Sequence, residues 1–183
     1  MHPFKVLIAE DKVKERVSKM GAEISKYYQD RKTKKLVVIG VLKGSFVFLA
    51  DLVRSLNVPC EIEFVEVSSY GAGTMSSGDI QLLRDIAVPL EGQDVLVVED
   101  IIDTGRTIYY LLEHLRKSHR PHSIAVAALL YKPSRSVNQI KPDFLGFTIE
   151  DKFVIGYGLD FNNRFREIPD VAIYEEGKVS IDL

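Results

Sequence analysis

Short apolar runs alternate along this chain with stretches of helical periodicity. Leu36 to Val41 is continuously apolar, as are Val95 to Val98 and most of Ser123 to Leu130 and Phe144 to Ile149. Each is too short for a buried helix and rich in β-branched residues, so each reads as a strand covered on both faces. Glu61 to Val67 interleaves Ile62, Phe64, Val65 and Val67 with acids and predicts a further strand; Phe4 to Ile8 predicts a short one, and Ile80 to Val88 contains one leading back to the sheet. Between them the period changes. With Asp11 as N-cap, a helix is expected to about Gln29, carrying Val13, Val17, Met20 and Ile24 on one face. Phe46 to Leu56 predicts a second helix. Ile108, Leu111, Leu112 and Leu115 form the apolar face of a third, with Glu113, Arg116 and Lys117 elsewhere. Strand–helix alternation implies βαβ units around a mostly parallel sheet flanked by helices. The tail from Asp151 to Leu183 has many aromatic and turn residues but no long helix. It is expected to join the N-terminal strand as a small hood, giving one domain over 1–183 with a core of about 10–149 and a hood of about 1–9 plus 150–183.

Composition narrows the classes of function. The chain is 46% hydrophobic and 27% charged, ordinary globular values, and its net charge of −2 gives no reason to expect nucleic-acid binding. The single cysteine, Cys60, cannot form an internal disulfide, so a cytoplasmic setting is expected. No basic segment followed by a long apolar stretch opens the chain, and Leu36 to Leu52 is interrupted by Lys43, Gly44 and Ser45, so neither a signal peptide nor a membrane span is expected. His2, His114, His119 and His122 lack metal-ligand spacing and read as surface residues.

Chemistry concentrates in V-L-V-V-E-D-I-I-D-T-G-R-T, Val95 to Thr107. The apolar strand ends on Glu99 and Asp100, and Asp103 follows. Thr104, Gly105, Arg106 and Thr107 then open a helix. Ligands of open α/β sheets bind at such strand ends. Paired carboxylates suit ribose hydroxyls, directly or through Mg²⁺ waters. Gly105 lets the backbone approach an anion, and helix N–H groups with the hydroxyls of Thr104 and Thr107 complete an anion site. A phosphorylated ribose fits all of these together. Lys43-Gly44-Ser45 follows another buried strand and reaches the same sheet edge, although those residues by themselves favour a generic strand-to-helix turn. Ser68 to Asp79 is rich in Gly and Ser and reads as a linker or a lid. Lys132, leaving a strand, reads by itself as a surface residue.

The Val95–Thr107 run resembles the phosphoribosyl-pyrophosphate (PRPP) motif of type I phosphoribosyltransferases, and E-D-I-I-D-T-G is similar in particular to hypoxanthine–guanine phosphoribosyltransferases. The resemblance extends to L-K-G-S at Leu42–Ser45, to Ser69-Tyr70 and to D-K-F-V-I-G-Y-G-L-D at Asp151–Asp160. It implies the type I phosphoribosyltransferase fold and transfer of phosphoribosyl from PRPP to a 6-oxopurine, with Mg²⁺ as cofactor. Glu99 and Asp100 would hold the ribose diol and metal, and Asp103 to Thr107 the 5′-phosphate. Asp103 would be the acid/base near purine N7. Lys43, Gly44 and Arg166 would hold pyrophosphate; in the family the Leu–Lys peptide is often cis. Ser69 and Tyr70 would belong to a lid. Lys132 would donate to the oxygen at purine C6, Phe153 would stack on the ring, Val154 would offer backbone groups to the base edge, and Asp160 would hold a pyrophosphate-bound metal beside the base. A homodimer or homotetramer is implied. A xanthine-preferring transferase and a nucleotide-sensing RNA-binding regulator on the same fold are the alternatives; the acid at Asp103 and the mildly acidic balance weigh against the regulator.

Overall fold

A computed structural model describes residues 3–69, 80–137 and 140–175. Strands β1 (Lys5–Ile8), β2 (Leu36–Leu42), β3 (Cys60–Ser69), β4 (Ile80–Arg84), β5 (Asp94–Ile102), β6 (Ser123–Tyr131), β7 (Phe144–Thr148), β8 (Val154–Ile155) and β9 (Val171–Ile173) are joined by helices α1 (Glu10–Asp30), α2 (Phe46–Arg54) and α3 (Arg106–His114). Six strands form one sheet in the order β4-β3-β2-β5-β6-β7. All pairs within it are parallel except β3–β4. A second sheet, β1-β9-β8, is antiparallel and brings both ends of the described chain together.

The period-2 alternation of the strands divides the core in two. Leu36, Val38, Leu96, Val98, Ala125 and Ala127 pack with Val13, Val17, Met20 and Ile24 of α1 and Phe48, Leu49 and Leu52 of α2. Their neighbours Val37, Ile39, Val95, Val97 and Val126 face the other way, against Ile108, Leu111 and Leu112 of α3. This is why the three central strands read as unbroken apolar runs. Tyr28 is fully buried in the first layer and donates its hydroxyl to the Val95 carbonyl at 3.1 Å, satisfying its one polar atom.

Two boundaries depart from expectation. Asp11 is not the cap of α1. The helix starts at Glu10, with Ala9 at the N-cap position, and the Glu10 N–H donates to Asp170 Oδ1 at 2.8 Å. A carboxylate 160 positions downstream thus supplies the acceptor that a local cap would offer. Strand β5 also runs past the paired acids to Ile102, because β6 is long enough to pair with it as far as Tyr131. Glu99 and Asp100 therefore stand inside a strand rather than on its open rim. Among the described residues, no helix is long and apolar enough to cross a membrane.

Candidate active site

Glu99 and Asp100 are adjacent within β5, and both are nearly inaccessible, at 7% and 9% exposure. Burial pushes the Glu99 carboxyl well above the ordinary glutamate range, and the adjacent Asp100 charge and hydrogen-bonding contact push it further. Asp100 is also raised by burial, but the contact with Glu99, backbone N–H groups including that of Ile101, and the Arg166 charge pull it back. Of the two carboxyls, Glu99 is the one held further above its ordinary range. Among the described residues, Glu99 Oε2 is buried without a hydrogen-bond partner.

Asp100 leans on the loop after β2. A Cβ on Gly44 would lie 1.7 Å from Asp100 Oδ2, so only glycine fits there. The Leu42–Lys43 peptide is cis, and Ser45 Oγ donates to the Val41 carbonyl at 2.7 Å, closing the turn into α2. The turn after β5 has a different geometry. Gly105 takes φ +78° at the N-cap of α3, a conformation that glycine adopts at little cost. Arg106 and Thr107 are already helical, so the segment expected as a loop over 103–107 is a loop to Gly105 followed by a first helical turn. The first bond within α3 runs from the Tyr109 N–H to the Gly105 carbonyl at 2.9 Å, and the Arg106 N–H makes only a long 3.4 Å contact with Thr104 Oγ1. The preceding N–H groups of the helix thus point towards the loop, the arrangement that binds an anion.

A cleft of about 220 Å³ lies beside these elements, lined by Asp100, Ile101, Asp103, Lys132, Phe153, Val154, Leu159 and Asp160. Larger hollows occur elsewhere, including one of about 480 Å³ along Arg31–Lys35, but this cleft is the one that joins the ends of β5 and β6 to the small sheet. Lys132 is buried at 5% exposure and sets its Nζ 3.4 Å from Asp103 Oδ2 and 3.5 Å from Asp151 Oδ1. Arg135, on a single 3₁₀ turn after β6, brings Nε to 2.7 Å from Asp103 Oδ1 and Nη1 to 3.4 Å from Asp151 Oδ1. Two cations and two carboxylates thus alternate around one wall of the cleft. Sequence reasoning missed Arg135 and gave Asp151 no role; their only signal was charge near a strand end.

The opposite wall is aromatic. Phe153 is 53% exposed and meets Phe161 and Tyr174 edge-on, with centroids at 5.8 and 5.9 Å, leaving a ring face towards solvent. Val154 is buried in β8, paired with Ile173. Arg166 donates Nη1 to the Gly158 carbonyl at 2.7 Å and pairs through Nη2 with Asp160 Oδ1 at 2.8 Å, while Asp160 Oδ2 accepts the Asn163 N–H at 2.7 Å. Tyr157 is packing, with its hydroxyl on Asp51 Oδ2 at 2.6 Å. The lid expected over Ser68–Asp79 lies largely outside the described residues. Ser69 ends β3 and Tyr70 is beyond them. The histidines are not all isolated surface groups: His114 and His119 converge on Asp85, and His122 meets Asp94.

A hard cation takes oxygen ligands. Buried Asp100, the unpartnered Oε2 of Glu99 and the cleft-facing Asp160 offer them, so these residues fit Mg²⁺.

A mostly parallel sheet with an acid pair buried in a central strand, followed by a turn whose N–H groups are free for an anion, defines a class of α/β protein suited to sugar-phosphate ligands. A family model described as the phosphoribosyl transferase domain matches residues 10–162. The chain is 43% identical over 169 residues to the hypoxanthine-guanine phosphoribosyltransferase of Bacillus subtilis (strain 168), covering 92% of each chain. It is 46% identical over 175 residues to that of Dictyostelium discoideum, covering 93% of this chain and 95% of the relative. A solved Trypanosoma cruzi hypoxanthine phosphoribosyl transferase superposes with a TM-score of 0.88 at 38% identity, covering 96% of this chain and 94% of that one. The chain belongs to the phosphoribosyltransferase family with the type I fold, in its hypoxanthine–guanine branch.

Proposed function

We propose that the protein moves the 5-phosphoribosyl group of PRPP onto hypoxanthine, and onto guanine, yielding IMP or GMP and pyrophosphate in a Mg²⁺-dependent reaction. The observation that carries this reading is the meeting of Asp103, Lys132 and an open Phe153 ring face in one cleft beside the buried Glu99–Asp100 pair. In this reading residues 1–183 form one cytoplasmic domain, core about 10–149 and hood about 1–9 plus 150–183, assembled as a homodimer or homotetramer.

The N–H groups opening α3, with Thr104, Gly105, Arg106 and Thr107, hold the 5′-phosphate. Glu99 and Asp100 orient the ribose hydroxyls. Lys43, the Gly44 backbone and Arg166 receive the pyrophosphate, with Arg166 offering a fork of donors. Asp100, Glu99 and Asp160 would hold Mg²⁺, which supplies positive charge to offset that growing on pyrophosphate. Phe153 covers one face of the purine, Val154 presents backbone groups to its edge, and Lys132 donates to the oxygen at C6. A 6-amino purine would set a donor against that buried ammonium, leaving polar groups unpaired. The C1–oxygen bond to pyrophosphate breaks as the bond from N9 to C1 forms, through a sugar with oxocarbenium character. The Asp103 carboxylate takes the proton that the base gives up at N7. Lys132 and Arg135 must yield part of their hold on Asp103 as the base enters. Closure of a lid through Ser69 and Tyr70 completes the reading by excluding water from the cationic sugar.

Pyrophosphate release measured with adenine, hypoxanthine, guanine, xanthine and uracil tests the substrate. Release dependent on hypoxanthine and guanine is expected, and dependence on uracil or adenine alone would sink the assignment. Asp103→Asn should lower kcat by about 10²–10⁴-fold while PRPP still binds; undiminished turnover removes Asp103 from the reaction.

A further inference from the structure

At the far end of α3 from the phosphate turn stands a side-chain cluster with no part in the transfer reaction. Asp85 is the residue after β4, His114 ends α3, and His119 ends the π-helical turn Leu115–His119 that continues it. Asp85 Oδ2 lies 2.9 Å from His114 Nε2, and Asp85 Oδ1 lies 3.2 Å from His119 Nε2. One ligand atom from each of the three residues falls within 4.8 Å of the others.

The helix is deformed in the way this convergence requires. Residues five apart on an α-helix point about 140° away from one another. The π turn, closed by the Arg120 N–H on the Leu115 carbonyl at 3.1 Å, widens the helix and swings His119 to the side of His114. The two rings meet edge-on at 5.4 Å. The other nitrogen of His114, Nδ1, lies 3.5 Å from Ser118 Oγ, and Tyr110 stacks parallel to the ring at 6.5 Å. A hydrogen-bond acceptor on the second imidazole nitrogen fixes the tautomer of a metal-ligating histidine, and the Ser118 hydroxyl is placed to act as one. The side chains are 20%, 16% and 42% exposed for His114, His119 and Asp85, leaving one side open to ion and water.

The geometry points to a second cation site, held by Asp85, His114 and His119, that takes a divalent transition-metal ion such as Zn²⁺ and leaves coordination positions for water. Two imidazole nitrogens and one carboxylate suit Zn²⁺, Co²⁺ or Ni²⁺ and not Mg²⁺, whose preference is for oxygen. Donor atoms around a Zn²⁺ ion at bonds of about 2.0–2.2 Å stand roughly 3.3 Å apart. Each imidazole already stands near that spacing from one Asp85 oxygen, at 2.9 Å from Oδ2 and 3.2 Å from Oδ1, and the three ligand atoms lie within 4.8 Å of one another, so side-chain rotation closes the set around an ion. The ion would pin the edge strand β4 to the end of the helix whose other end faces the phosphate turn.

Calorimetric titration of the full chain with Zn²⁺ in excess Mg²⁺, which occupies the acidic active site, tests the assignment. Wild type is expected to take up one Zn²⁺ per chain and to melt at a higher temperature with it. His119→Gln keeps a donor for Asp85 but offers no imidazole; its Zn²⁺ affinity should fall more than tenfold and its melting shift should vanish. Ser118→Ala should weaken binding about tenfold through the imidazole it orients. His122→Gln, altered at the ring that meets Asp94, should bind as wild type. Equal uptake by wild type and His119→Gln, or no wild-type binding below about 1 mM, overturns the site and leaves a hydrogen-bonded latch.

Discussion

Glu99→Gln should make the protein more stable and less active, by an amount that depends on pH. Glu99 is fully enclosed, and burial together with Asp100 raises its carboxyl well above the ordinary value of 4.5. Below that value the folded and unfolded states both hold the proton, and the group costs nothing. As pH rises through it, the unfolded chain releases the proton while the folded protein keeps it. The unfolded state then binds fewer protons, and stability falls by about 1.4 kcal/mol per pH unit until the folded group itself ionises. Glutamine has no proton to lose, so its stability curve lacks this fall. Two pH units above 4.5 thus open a gap of up to about 2.7 kcal/mol in favour of the variant, equivalent to about 5–10 °C in Tm for a chain of this size. The measurement is thermal or urea unfolding of both proteins at fixed protein concentration, from about pH 5 to about pH 8, alongside kcat/KM at each pH. The glutamine amide can gain or lose a fixed increment from its own hydrogen bonds, so the diagnostic quantity is the change in the gap with pH. Curves that stay parallel across this range would refute the claim that the Glu99 carboxyl is held above its ordinary range.

Three further outcomes follow from named contacts. Gly44→Ala places a methyl 1.7 Å from Asp100 Oδ2, and Asp100 is too buried to yield freely; steady-state kinetics should show kcat/KM for PRPP lowered about 10²-fold with the fold retained by circular dichroism. Lys132→Met should lower kcat/KM for hypoxanthine about 10–100-fold and shrink its advantage over adenine, because a charged hydrogen bond to the base is lost; equal discrimination in the two proteins would remove Lys132 from base choice. Leu96→Ala removes a fully buried side chain from the layer against α1 and α2, and should lower unfolding free energy by about 2–5 kcal/mol in urea titrations.

The central sheet and its three helices were legible because each buried strand needs apolar residues on both faces and each helix on one. Val95–Val98 and the Ile108–Leu115 stripe express those demands locally. The depth of Glu99 and Asp100 was not legible, since it is set by how far β6 continues beside β5. The cap of α1 was misplaced for the same kind of reason: Asp170 arrives from the other end of the chain. Arg135 carried only a weak signal, because its partners Asp103 and Asp151 are brought to it by separate turns. His114 and His119 stand five apart, a spacing that faces no common direction on an α-helix. Only the π turn, which has no plain sequence mark, joins them. Of the site residues named from family motifs, Asp100, Asp103, Lys132, Phe153, Val154 and Asp160 line one cleft, and the lid at Ser69–Tyr70 lies largely outside the described residues.

The order β1-β9-β8 has a consequence for how the protein is made. Among the described residues, the strand carrying Val154 pairs only with β9, and β9 is flanked on its other side by the strand nearest the N-terminus. On the ribosome, the sugar-phosphate half of the cleft can be assembled once β6 has emerged. The wall that faces the base cannot, because it waits for β9 to slot between β8, made shortly before it, and β1, made at the start of the chain. A truncated product ending shortly after β7 would therefore retain the acidic strand and the helix turn and yet have no place to seat a purine.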